Sequence, residues 1–220
     1  MIVAPSLSGP VRPPASGRAA RELVVLLHGW GADGNDLIGL APDWARQLPD
    51  AFFAAPHGPD ACEQNPMGRQ WFSFADARAG ALASGAARVA RLIDRFVDSE
   101  LARLGLEDDR LALVGFSQGA MMALYVGLRR PRPCAAVLGY GAALVGGEGL
   151  KGDLRSRPPI LLVHGDADEI VPVVSLYQTV EALGALEVPV QWHVSPGLGH
   201  GIDPEGLIIG RTFLAACLSG

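Results

Sequence analysis

The chain has 220 residues, 49% of them apolar and 19% charged, with a formal net charge of −5; this fits a single soluble domain over residues 1–220 and leaves no basic field to hold nucleic acid. Cys62, Cys134 and Cys217 are scattered without C-x-x-C spacing, so neither a disulfide framework nor a zinc site is expected, and no residue is assigned to a metal. No apolar run reaches the roughly 18 residues of a membrane span, and the N-terminus lacks the basic start and apolar stretch of a secretory signal, so a cytoplasmic protein without stable membrane insertion is expected.

Residues 1–20 are rich in Pro, Gly and Ser and allow at most a short edge strand or hairpin. Leu23 to Leu27 is a continuous apolar run, which marks a strand buried on both faces of a parallel sheet. A glycine-dense loop from His28 to Asp36 follows at that strand's carboxyl end, the end where open α/β sheets bind ligands. Ala51 to Ala55 reads as a second short strand, ended by Pro56. The stretch from His57 to Asp76 reads as a loop, and its aromatic cluster Trp71-Phe72-Ser73-Phe74 either plugs a small core or lines an apolar groove. From Ser84 to Leu104 the apolar positions fall at helical spacing, with Ser84 placed to cap the start and Gly105 the end.

The stretch from Leu111 to Leu128 is an apolar run, then Gly115-Phe116-Ser117-Gln118-Gly119, then a second apolar run. It reads as strand, tight turn and helix, the G-x-S-x-G elbow in which flanking glycines remove side chains that would collide. Ser117 then stands at a strand's carboxyl end, where the first amides of the helix point at any oxyanion formed beside it. Acyl transfer needs a second amide from the loop after an earlier strand, and Trp30 N–H is the candidate.

Cys134 to Tyr140 and Pro159 to His164 read as further inner strands. The loop after the second carries Asp166, Asp168 and Glu169, and Pro172 opens a helix to Leu183 with Gly184 as its stop. Val190 to Val194 is the last strand; it leads to His200, after which Asp203 caps and Pro204 opens a final helix ending near Leu218. Strands and helices thus alternate, which predicts an α/β fold with a mostly parallel central sheet and helices on both faces. Ser117, an acid from 166–169 and His200 each follow a strand's carboxyl end, in the order that a hydrolase of this architecture uses. Of the three acids, Asp166 is placed to bond backbone amides at the strand end, Glu169 to face solvent, and Asp168 to reach the His200 loop. His28, His57, His164 and His193 lack such placement and are read as structural.

With these loops in hand, the blocks LLHGWGADGNDL, QWFSF, GFSQGAMMAL, HGDADEIVPV and GLGHGID together resemble the small carboxylesterase family of the α/β-hydrolase fold, which also contains acyl-protein thioesterases and lysophospholipases. The resemblance covers Leu23 to the C-terminus. It implies Ser117 as nucleophile, Asp168 as acid, His200 as base, and the Trp30 and Gln118 amides as oxyanion hole, with no cofactor. It also implies a site without a large cap domain, since few residues separate Tyr140 from Pro159. Leu37, Trp71, Phe72, Ile170 and Leu198 are the substrate-binding candidates. Ser73 departs from the Asp that thioesterases of the family carry after the Trp-Phe pair, which makes the bacterial esterase branch the closer match. The expected function is hydrolysis of small carboxylic esters of short to medium acyl chains. Thioesterase or lysophospholipase action is the alternative, and an inactive binding module the remote one. Pairing as a homodimer is implied by the resemblance alone.

Overall fold

The computed structural model describes residues 6–76 and 78–219. Among the described residues nine strands are formed: β1 (Val11–Arg12), β2 (Glu22–Leu27), β3 (Ala51–Ala54), β4 (Asp60–Ala61), β5 (Arg69–Gln70), β6 (Leu111–Phe116), β7 (Ala136–Tyr140), β8 (Ile160–Gly165) and β9 (Val190–Ser195). The helices are α1 (Gly34–Leu37), α2 (Ala41–Trp44), α3 (Ala79–Leu104), α4 (Gln118–Gly127), α5 (Gly147–Asp153), α6 (Val174–Gly184) and α7 (Pro204–Leu218). Seven strands make one sheet in the order β1-β3-β2-β6-β7-β8-β9, and β4 and β5 form a separate ribbon. Only β1 runs antiparallel to its neighbour in the large sheet, pairing Val11 with Ala54. The remaining neighbours are parallel.

The unbroken apolar runs follow from this arrangement, because a central strand must present apolar side chains to both faces. Along β2, Leu23, Val25 and Leu27 enter one layer with Val89 and Ile93 of α3, Met122 of α4 and Leu176 of α6. Val24 and Leu26 enter the other, with Trp44 of α2 and Leu214 of α7. Helices therefore cover both faces, as predicted, and α4 is buried along its whole length. Between β7 and β8 the chain holds only the short α5, so no cap domain covers the strand ends there.

Several predicted boundaries move: β7 begins at Ala136 rather than Cys134, and α6 runs through Gly184, its predicted stop, to a cap at Ala185. The long helix begins at Ala79 rather than Ser84, and Arg78 at its start makes no capping side-chain bond. The Ala-Gly-Ala stretch before Ser84 lacks the periodic apolar signal but has no residue that breaks a helix except Gly. Its end is as expected, with Gly105 in the left-handed region at φ 70°. Helix α6 begins at Val174, two residues after Pro172, whose carbonyl accepts from Ser175 N. The 57–76 stretch is not all loop, since β4 and β5 pair within it.

Candidate active site

At the junction of β6 and α4, Ser117 takes φ 53° and ψ −119°, a conformation costly for a residue with a side chain. It is held there by contact and by hydrogen bonding. A methyl group on Gly119 would lie 1.9 Å from the Leu27 carbonyl oxygen, and one on Gly115 would lie 2.3 Å from the Gly119 carbonyl carbon. Both positions must be glycine for the helix to start this close to the sheet. Ser117 N donates to Tyr140 O of the neighbouring strand at 2.8 Å.

Gly141, directly after Tyr140, connects the elbow to Asp168 and His200. At φ 58°, its missing side chain leaves room for His200 and Asp168; a Cβ there would be 3.2 Å from His200 Cε1 and 3.6 Å from Asp168 Oδ2. His200 Nδ1 donates to Asp168 Oδ2 at 2.7 Å. The other carboxylate oxygen, Oδ1, accepts from Ile170 N at 2.9 Å and Val171 N at 2.8 Å. Burial alone would raise the Asp168 carboxyl, but the bonds from His200, Val171 and Ile170 outweigh it and hold it below its ordinary value. On its other side the imidazole lies 4.8 Å, centroid to centroid, from the ring of Phe116, the residue before Ser117. Ser117, Gly141, Asp168 and His200, which follow β6, β7, β8 and β9 in turn, thus meet at the carboxyl edge of the sheet.

The neighbouring acids lie elsewhere. Asp166 Oδ1 accepts from Gly197 N at 2.6 Å, tying the acid loop to the loop that carries His200. Glu169 is exposed.

The loop after β2 is fastened on nearly every side. Gly31 N donates to Arg69 O, Arg69 N donates to Ala32 O, and Asn65 Nδ2 donates to Gly31 O. Trp71 Nε1 donates to His28 O, and the Trp30 indole donates to Gln70 Oε1. His28 Nδ1 donates to Gly29 O at 2.7 Å while its Nε2 accepts from Gly58 N at 2.8 Å. Burial lowers the His28 pKa, against the opposing effect of the Gly29 bond, which favours the neutral ring seen in this bonding pattern. The backbone amides of Trp30 and Gln118 donate to no acceptor among the described residues. These are the two amides that the sequence nominated for an oxyanion.

The substrate-binding candidates divide. Ile170 is 71% exposed and Leu198 is partly exposed, so both can meet a ligand at the rim. Trp71 and Phe72 are fully buried, and Leu37 is packed beside Val24 and Trp44. For these three the structure corrects the expectation: side chains with at most 5% of their surface exposed fill core. The open alternative is thereby decided in favour of the plug for Trp71 and Phe72, while Phe74 stays partly exposed, edge-on to Trp30 and Phe72. Gln118 explains why, since its side chain, itself fully buried, accepts from Trp71 N and donates to Phe72 O, both at 2.8 Å. Sequence reasoning missed this bridge; the only signal was a glutamine inside an otherwise apolar helix start.

Residues 14–218 match a family model described as phospholipase/carboxylesterase. The acyl-protein thioesterase 1 of Schizosaccharomyces pombe is 33% identical over 159 residues, 69% of this chain and 70% of its own length. That of Gibberella zeae is 28% identical over 209 residues, 87% and 88% respectively. Among solved structures, esterase PE8 aligns with a TM-score of 0.92 at 43% identity, over 97% of this chain and all of its own.

Proposed function

This chain belongs to the phospholipase/carboxylesterase family, whose members are hydrolases acting on ester bonds, and from that premise we propose that Ser117, His200 and Asp168 carry its chemistry. His200 Nε2 takes the Ser117 proton as Oγ attacks the ester carbonyl, and Asp168 orients the ring and balances the charge it acquires. The Trp30 and Gln118 amides receive the oxyanion. His200 then protonates the leaving alcohol, and water, activated by the same ring, releases the acid from the acyl-enzyme. Neither metal nor organic cofactor enters a step.

The observation that carries this reading is the 2.7 Å bond from His200 to Asp168 beside a serine held at positive φ. A hydrolase-fold binding module without activity would have no use for either. We assign the substrate as a small ester of short to medium acyl chain, because no cap domain closes over the strand ends and Ile170 stands exposed at the rim. The thioesterase names of two relatives support a second reading, in which a thiol leaves instead of an alcohol. A series of p-nitrophenyl esters of graded acyl length, run beside the matching acyl thioesters, tests both. Higher kcat/KM on the short oxyesters supports the first reading, and higher kcat/KM on long-chain thioesters the second.

Among the described helices none is long and apolar enough to cross a membrane. A cytoplasmic location and one domain over residues 1–220 complete the proposal. Pairing of two copies has a candidate surface at the outer edge of β9, where Trp192 is 51% exposed; light scattering would measure it.

A further inference from the structure

His164, near the end of β8, has a fully enclosed side chain. Its Nε2 lies 2.7 Å from Val171 O and 3.4 Å from Asp168 Oδ2. A carbonyl oxygen can only accept, so Nε2 carries the hydrogen and Nδ1 is a bare acceptor. That Nδ1 is buried and has no partner among the described residues. As a core residue this is a poor choice, because an apolar side chain of similar size would leave no orphaned atom.

The return lies in what the ring holds. Val171 is bonded at both its polar groups: its N–H donates to Asp168 Oδ1, and its carbonyl accepts from His164. The start of the acid loop has outside anchors, Ala167 N to Leu198 O and Asp166 N to Ser195 O. Beyond Asp168 the situation differs. From Glu169 to Val171, the amides of Ile170 and Val171 turn back onto Asp168 itself, and the His164 bond is the one that reaches outside the loop among the described residues. Pro172 follows and has no N–H to add another. His164, Val171 and Asp168 thus form a closed set of contacts whose free side is the carboxylate oxygen offered to His200.

We propose that His164 is a positioning residue for Asp168, fixing through its bond to Val171 O the turn that aims the carboxylate at His200. This rests on the reading of Asp168 as the acid that serves His200. While His200 holds the transferred proton, any rotation of the carboxylate would remove its counter-charge, and a displacement of about 1 Å at such a group can cost on the order of a hundredfold in rate.

The test compares His164→Leu, which keeps bulk but has no donor, with His164→Gln, whose amide can reach Val171 O. Two quantities are read in folded protein: kcat and KM on a short ester, and the low-field proton resonance of the His200–Asp168 bond, identified by its loss in Asp168→Asn. We expect His164→Leu to lower kcat about ten- to hundredfold with KM little changed, and to broaden or shift the resonance. His164→Gln should recover most of both. If the leucine variant does not fold, His164→Met, unbranched and of similar length, replaces it. A leucine or methionine variant with native kcat and an unchanged resonance overturns the proposal, and so does a folded glutamine variant as impaired as leucine. Turnover that survives Asp168→Asn would instead remove the underlying acid assignment, whereas a dead Asp168→Asn beside a fully active His164→Leu would remove only the role of His164.

Discussion

Gly119 lies so close beneath the carboxyl end of β2 that a methyl group on it would come within 1.9 Å of the Leu27 carbonyl oxygen. This contact sets how near the elbow stands to the loop carrying Trp30, since His28 begins where Leu27 ends. Gly119→Ala must push backbone from backbone, with no flexible side chain to yield, and the two candidate oxyanion amides would separate. We expect the variant to lose both melting temperature and turnover. Gly152→Ala, in α5 with open space around its Cβ position, should instead gain about 0.4–1 kcal/mol through the unfolded chain and keep full activity. Thermal melts and ester turnover on the two proteins check this; an unimpaired Gly119→Ala would contradict it.

Asp168 and Asp166 provide a matched pair. Asp168→Asn keeps an oxygen for the Ile170 and Val171 amides, but sets an NH2 or a neutral oxygen against His200 Nδ1, removing counter-charge and correct tautomer together. Turnover should fall by roughly 10⁴-fold in a folded protein. Asp166→Asn weakens only the bond to Gly197 N that ties the two loops together. It should cost about 1 kcal/mol of stability and leave most activity. The reverse pattern would move the acid to Asp166.

Much of this arrangement is legible because the candidate residues sit at strand ends, and strand ends are marked by abrupt change from apolar runs to glycine and acids. Leu111 to Gly119 shows this most plainly. Asp166 is set apart from Asp168 by its distance from the strand together with the family resemblance, and the structure gives it the amide-binding role expected of it, though toward Gly197 rather than within its own turn. Trp71 and Phe72 could not be placed, because burial in a loop depends on partners far along the chain; Gln118, 46 residues beyond Phe72, decides it. The strands β4 and β5 have two residues each, too short for any alternation to register, and α1 and α2 are single turns. In the sequence His164 has neither the loop placement of His200 nor metal spacing, and nothing there separates it from a structural histidine. Its relation to Val171 is a contact across a loop, which spacing cannot reveal.

Glu22 offers a test of the electrostatics away from the site. Its Oε2 is buried without a partner among the described residues, and burial, then the nearby Asp50, raises its carboxyl above the ordinary value. A raised carboxyl gives up its proton more readily unfolded than folded, so its ionisation opposes folding at neutral pH and the penalty fades as the pH falls. Glu22→Gln should therefore melt higher than the parent near pH 7, with the difference closing toward about pH 4, where the parent glutamate is itself protonated. A lower melting point at neutral pH would show that the carboxylate has a partner.

The passage of the acyl group through Ser117 is tested most directly by Ser117→Ala, treated with a fluorophosphonate probe and assayed on a short p-nitrophenyl ester. The only polar atom removed is the hydroxyl at the elbow, and the neighbouring Ser117 N to Tyr140 O bond is untouched by the change. The variant should fold, take up no label and show no turnover above the uncatalysed rate beyond what the remaining oxyanion amides supply, at most about 10³–10⁴-fold over water. Stoichiometric labelling, or turnover within tenfold of the parent, would contradict the assignment of Ser117 as the nucleophile.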